Sequence, residues 1–297
     1  MINSSPPDAT SSNPSLELPS KPSGRAILPH ARGDAAPADR LPQSAISRLL
    51  SAAGKRFLSE IGKPAIRLFL AIHALLALAF YFAPGIDLGF SRLFYTPAEG
   101  FVLGSRSSTR LLPFLPWLTI AFVNLLVLLL VRNLIAWWRD RQSIAHLLSM
   151  RRTIFLLLTL VVGPGFLINV ILKNQSGRTR PFRVEAFGGD QRFTPAFVTT
   201  GTCRSNCSFV SGDAAMGYYL LAFFFVARKR RWEIALAAYA LGTAIGVLRI
   251  AQGAHFLSDV IFAGFFTFLV AWILNFLILP REKESPAALA PGSTSSS

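Results

Sequence analysis

Lys173 is followed seven residues on by Arg180-Pro181. Ser208-Phe209-Val210-Ser211-Gly212-Asp213 comes next, and Arg249, His255 and Asp259 complete the set at spacings of six and four. Each group sits at the mouth of a long apolar run, where a membrane protein avoids ionisable side chains unless they have a task. A phosphate ester carries about two negative charges near neutral pH, and its transfer spreads charge over three equatorial oxygens. Lys173, Arg180 and Arg249 supply fixed positive donors, and an arginine can grip two oxygens at once. Ser211-Gly212 at the start of a helix offers free backbone N–H groups beside the positive end of the helix dipole. A neutral imidazole at His255 is a competent nucleophile. Asp259, four residues on, is expected to share a helical face with it and to hold the far ring nitrogen. Together these residues suit phosphoryl transfer.

The apolar runs that position them set the class. Of 297 residues, 52% are hydrophobic and 15% charged, and the mean hydropathy is +0.46. That composition belongs to membrane proteins. The net charge of +15 does not point to nucleic acid. No interleaved aromatic-basic platform accompanies it, and many Lys and Arg cluster at the ends of apolar runs instead. Residues 1–45 are rich in Pro, Ser and Ala and are expected to be a disordered arm. They lack the charged start and short apolar core of a signal peptide. Residues 46–281 form the expected membrane domain, and 282–297 a flexible tail.

A helix needs about 20 apolar residues to cross the hydrocarbon. Six segments fit or nearly fit: Ile66 to Phe82, Pro113 to Val131 (with Trp137-Trp138 as an interface pair), Thr153 to Leu172, Phe209 to Ala227, Ile234 to Leu248 and Val260 to Leu279. The expected fold is therefore an all-α bundle of six transmembrane helices. Gly242 and Gly246 in the fifth suit close helix packing. Lys55, Arg56 and Lys63, then Arg139, Arg141, Arg151 and Arg152, then Arg228-Lys229-Arg230-Arg231, then Arg281 and Lys283 all fall on one side of six spans. The positive-inside bias makes that side cytoplasmic, together with both termini. The three chemical groups then converge on the opposite face. The loop from Lys173 to Cys207 is basic as well, against the bias, which argues that its charges are held there for function.

Lys-x6-Arg-Pro, then Ser-Gly, then Arg-x5-His-x3-Asp resembles the three-part signature of the type 2 phosphatidic acid phosphatase (PAP2) superfamily, whose membrane branch consists of six-helix lipid phosphatases. The resemblance covers Lys173 to Asp259. It implies that Lys173, Arg180, Ser211, the Gly212 amide and Arg249 bind phosphate. It implies that His255 forms a phosphohistidine with Asp259 orienting it, and that no metal or other cofactor takes part. Two positions depart from the pattern. Leu248 precedes Arg249 where the family has Ser, and Asp213 stands where the family has the histidine that protonates the leaving group. A carboxyl whose reference pKa is about 3.9 makes a poor acid at neutral pH. Asp213 is thus expected either to act at low pH or to serve a substrate whose leaving group needs little help. Phe187-Gly188-Gly189, Phe193 to Phe197 and Cys207-Ser208-Phe209 resemble Gram-negative members that act on lipid A. Undecaprenyl diphosphate, phosphatidylglycerol phosphate and phosphoryl transfer to another acceptor are the alternatives. The expected setting is the bacterial inner membrane, with a phosphorylated lipid reaching a periplasmic site from the side.

The remaining polar residues leave open readings. Arg178 and Arg183 either touch a second phosphate or headgroup, or face water. Asp87, Arg92 and Tyr95 either help to gather a headgroup or belong to a plain connector. Cys203 and Cys207 are too few for a disulfide framework; their separation suits one tight disulfide in an oxidising space, with two free thiols as the alternative. His73 is expected to pack within the first span, His146 to lie in a cytoplasmic loop and His30 in the arm.

Overall fold

The computed structural model describes residues 54–55, 57–59, 61–104, 115–140 and 143–279. The N-terminal arm with His30, the C-terminal tail, Arg56, Arg141, Arg281, Lys283 and the expected start of the second span at Pro113 lie outside them. Helix α1, Pro64–Phe82, opens on a proline, whose missing N–H costs nothing in a first turn. It ends at Ala83 before Pro84, which cannot continue a helix. The short helix α2, Gly85–Arg92, leads into a hairpin of β1, Tyr95–Thr96, and β2, Gly100–Phe101, with Tyr95 opposite Phe101. Gly100 supplies the positive φ of 79° that the turn requires.

Helix α3 is Leu115–Arg139, and α4 runs through Ile144–Gln175. Its 32 residues span about 48 Å at 1.5 Å per residue. Arg151 and Arg152 are therefore the inner turns of a long helix rather than part of a loop, and His146 lies on its first turn instead of in a connector. Pro164 interrupts the hydrogen-bond ladder of α4, and from Val161 to Leu172 the helix takes wide π-type turns. Within them Asn169 Nδ2 donates to the Pro164 carbonyl at 2.7 Å, which leaves the Asn169 side chain near the end of the helix that carries Lys173. Helix α5, Gly212–Val226, is capped by Ser211. Helices α6, Arg231–Ala251, and α7, Leu257–Ile278, complete the bundle.

Helix α7 packs against α4, α5, α6 and α2. Helices α5 and α6, and α6 and α7, approach closely at glycines. Gly217 lies against Gly242, Gly242 against the Tyr218 ring, and Gly246 against Val260. A side chain at any of these glycines would overlap its neighbour, so the small residues set the helix spacing. One buried cluster, with Ile168, Val210, Ala214, Tyr218, Ile250 and Phe262, lies under the site. Another, with Leu126, Phe155, Leu160 and Tyr219, fills the far half. Phe101, Val184, Phe187 and Phe256 form a third beneath the hairpin and the loop after α4.

The outer surface is apolar. Leu68, Leu75, Leu128 and Leu236 are 62%, 68%, 66% and 72% exposed, which a water-soluble bundle would not tolerate over whole helix faces. Among the described residues five helices are long and apolar enough to cross a membrane: α1, α3, α4, α6 and α7. Helix α5 is apolar but shorter, about 22 Å at 1.5 Å per residue, because the chain enters it at Gly212 rather than at Phe209. The protein is an all-α, membrane-embedded helical bundle.

Candidate active site

His255 lies in the turn between α6 and α7 and is fully buried. Its Nδ1 is 2.8 Å from the Ser208 carbonyl oxygen. A carbonyl only accepts, so Nδ1 carries the proton and Nε2 keeps its lone pair. That Nε2 is buried with no hydrogen-bond partner among the described residues. Burial, the largest influence, pushes the imidazole pKa down to about 4, with the Arg180 and Lys173 charges acting in the same direction and Asp259 opposing them. The ring is neutral at pH 7, as a nucleophile must be.

Asp259 faces Nδ1 of this ring, but not across a shared helical face. Helix α7 begins at Leu257, so His255 precedes the helix and shares no helical face with Asp259. The Asp259 carboxylate stands 3.6 Å from Nδ1. Its Oδ2 accepts from Ser208 Oγ at 2.6 Å and from the Phe256 N–H at 2.8 Å. A carboxylate in the first turn satisfies an orphan helix donor in this way. Asp259 thereby pins both the turn that carries His255 and the residue whose carbonyl orients the ring. The Asp259 backbone carbonyl also accepts from the Ser211 N–H at 3.0 Å, which ties the start of α5 to the start of α7.

Arg178 overturns both of its expected readings. It is 1% exposed, and its donors turn to protein groups rather than to water. Its Nη1 donates to Asp259 Oδ1 at 2.5 Å and to Ser258 Oγ at 2.8 Å, its Nη2 to Asp87 Oδ2 at 2.7 Å, and its Nε to the Thr194 carbonyl at 2.9 Å. The guanidinium lies 4.4 Å from the Phe256 ring centroid. Asp87 gathers no headgroup either. It is buried, and it accepts from the Ser258 N–H and Oγ as well as from Arg178. Burial is the main influence raising the Asp87 pKa, and the Arg178 charge opposes it. The available signal was one acid and one base at the ends of different apolar runs on the same face, each in need of a partner. Arg92 is exposed, Tyr95 packs edge-on to Phe187 at 5.2 Å, and Arg183 is exposed with its guanidinium 5.5 Å from the Phe182 ring. His73 packs against Phe69 and Phe265.

The cations surround the His255 turn. Lys173, at the end of α4, donates to Asn206 Oδ1 at 3.3 Å. Arg180 reaches the same residue through Nε and Nη2. Gly212 abuts Lys173: a Cβ there would overlap Asn169 Oδ1 and press on Lys173 Nζ. The Ser211 Oγ accepts from the Ala214 N–H at a long 3.4 Å and keeps its own O–H to donate. Arg249, near the end of α6, donates from Nη1 to Gln252 Oε1 at 2.7 Å. Its Nε lies 2.9 Å from Asp213 Oδ2, an ion pair in which the N–H is not aligned on the oxygen. Asp213 is 38% exposed. Cys203 and Cys207 are joined, closing the short loop that leads to Ser208. Every residue of the expected set thus lies at one end of the bundle.

Comparison with known proteins agrees with this arrangement. Residues 152–282 match the model of the PAP2 superfamily. The chain is 35% identical over 212 residues to the lipid A 4'-phosphatase of Francisella tularensis subsp. novicida, covering 69% of this chain and 91% of that protein. It is 34% identical over 204 residues to the lipid A 4'-phosphatase of Rhizobium leguminosarum, covering 65% and 87%. The corresponding Rhizobium etli protein is 34% identical over 204 residues, covering 65% and 79%. No solved structure matches significantly. A neutral buried imidazole facing three cations, the signature that carries them, and relatives aligned over most of their length agree: the chain belongs to the PAP2 superfamily.

Proposed function

We propose that the protein is a membrane lipid phosphatase that removes a phosphate from lipid A through a phosphohistidine at His255. The observation that carries this reading is the buried, unpartnered Nε2 of a neutral His255. Lys173, Arg180, Arg249, Ser211 and the Gly212 amide grip the phosphate oxygens. The Nε2 lone pair attacks phosphorus, the bond from phosphorus to the sugar oxygen breaks, and that oxygen takes a proton. Positive charge grows on the ring as the N–P bond forms. The Nδ1–H bond to the Ser208 carbonyl and the Asp259 carboxylate at 3.6 Å stabilise it. Water then attacks the phosphohistidine, releasing inorganic phosphate and the neutral imidazole.

The names of the relatives support the 4' phosphate as the one removed. A phosphate at that position sits on an ordinary sugar hydroxyl rather than an anomeric one, and such a leaving group needs a proton. The signature position of Asp213 beside Arg249 supports the reading that its side chain gives that proton. Phosphate binding draws Arg249 away from Asp213 and frees the carboxyl for that role. The clustering of Lys and Arg on the far side supports a site facing the periplasm, with both termini cytoplasmic. The test is phosphate release from lipid A by purified protein between pH 4 and 8, with product masses. Loss of one phosphate, abolished in His255→Ala, is the expected result. No release at any pH would overturn the reading.

A further inference from the structure

Lys173 and Arg180 come from different elements, the end of α4 and the loop beyond it, yet both donate to one residue that the signature does not contain. Asn206 Oδ1 accepts from Arg180 Nη2 at 2.8 Å and from Lys173 Nζ at 3.3 Å. The Asn206 backbone carbonyl accepts from Arg180 Nε at 3.1 Å and Nη2 at 2.9 Å. Asn206 has a φ of 50°, a left-handed conformation that asparagine tolerates better than most residues. This turn aims both of its oxygens at the cations. The segment is itself held in place. The Cys203 N–H donates to the Gly177 carbonyl at 3.0 Å and the Ser208 N–H to the Arg178 carbonyl at 2.9 Å, so residues 203–208 run alongside 177–178. Two residues beyond Asn206, the Ser208 carbonyl orients His255. One short segment therefore registers the cations against the nucleophile.

Two like charges around one point repel, and flexible Lys and Arg side chains would otherwise spread apart. A carboxamide oxygen supplies an acceptor to both without cancelling either charge. We infer that Asn206 is a positioning residue that gathers Lys173 and Arg180 into a single phosphate cradle before substrate arrives. This rests on the phosphatase reading of the same site. The negative potential that a carboxylate would bring explains why an amide, and not an acid, suits the position.

The experiment uses the full-length protein in detergent. It compares calorimetric binding of inorganic phosphate with hydrolysis kinetics on lipid A for wild type, Asn206→Gly and Asn206→Asp. Asn206→Gly keeps the left-handed turn and the backbone carbonyl and deletes only the side chain; Asn206→Asp keeps the shape and adds charge. The expected result is that Asn206→Gly weakens phosphate binding and raises KM by about tenfold, with kcat within about threefold. Asn206→Asp should weaken both by more. Unchanged phosphate affinity in Asn206→Gly would overturn the inference. So would tighter binding, which would make Oδ1 a competitor of phosphate. Wild-type protein that binds phosphate but leaves lipid A intact would sink the substrate reading alone, while the binding arm still decides the role of Asn206.

Discussion

At His255, proton placement governs both rate and stability. Burial lowers the ring pKa to about 4, against about 6.5 in an unfolded chain. The sign follows from that order. Between the two values the unfolded state binds the extra proton, so this group's stability contribution is present above the unfolded value and is lost as pH falls toward the folded one. The nucleophile stays neutral through the same window. The acid limb of kcat/KM, measured with a substrate whose leaving group needs no proton, is therefore expected near pH 4; a limb at the ordinary histidine value would contradict the burial argument. Asp213 makes the complementary prediction. If it protonates the sugar oxygen, Asp213→Asn should lower kcat on lipid A by about 10²-fold or more. The same change should barely affect 4-nitrophenyl phosphate, whose leaving group departs unaided. Equal losses on both substrates would make Asp213 a partner of Arg249 and nothing more.

Among the elements, α2 carries a larger role than its eight residues suggest. Asp87 locks it to Ser258 at the start of α7 and to Arg178 in the loop after α4. Removing one member of a buried ion pair leaves the other charge uncompensated, at a cost of about 3–5 kcal/mol. Asp87→Ala is therefore expected to lower the thermal midpoint in detergent well beyond an exposed control such as Arg92→Ala, and to lower lipid A hydrolysis with it. An unchanged midpoint would mean that Arg178 finds full compensation in Asp259 alone. Helix α4 matters in a different way. Pro164 forces wide turns, and these turns set where Asn169 and Lys173 meet Gly212.

For the whole molecule, the question is which side of the membrane the site faces. Asp190, on the site's own loop, and Arg230, in the basic turn between α5 and α6, are both exposed and lie at opposite ends of the proposed topology. In cells with a permeabilised outer membrane, an impermeant maleimide should label Asp190→Cys and spare Arg230→Cys. The reverse pattern would invert the proposed orientation. At about 22 Å, helix α5 falls short of the hydrocarbon thickness of about 30 Å.

The sequence alone determined the apolar helices and the residues bound for the site. Both are local properties: a run of apolar side chains is unstable in water wherever it occurs, and Lys173, Arg180, Arg249 and His255 carry their chemistry in their type and spacing. The expected parity of the apolar runs also pointed to three groups on one face, and the structure gathers those groups at one end of the bundle. The tertiary structure decided the partners. Arg178 pairs with residues 91 and 81 positions away, and nothing local selects Asp87 and Asp259 for it. The spacing of Asp259 from His255 suggested a shared helix, but the helix starts two residues too late, so the carboxylate caps the turn while it faces Nδ1 from 3.6 Å. Asn206 carried no signal, being one polar loop residue among several until folding brought two cations onto its oxygen. A buried charge must find a partner, and only the packed chain says which groups come within reach.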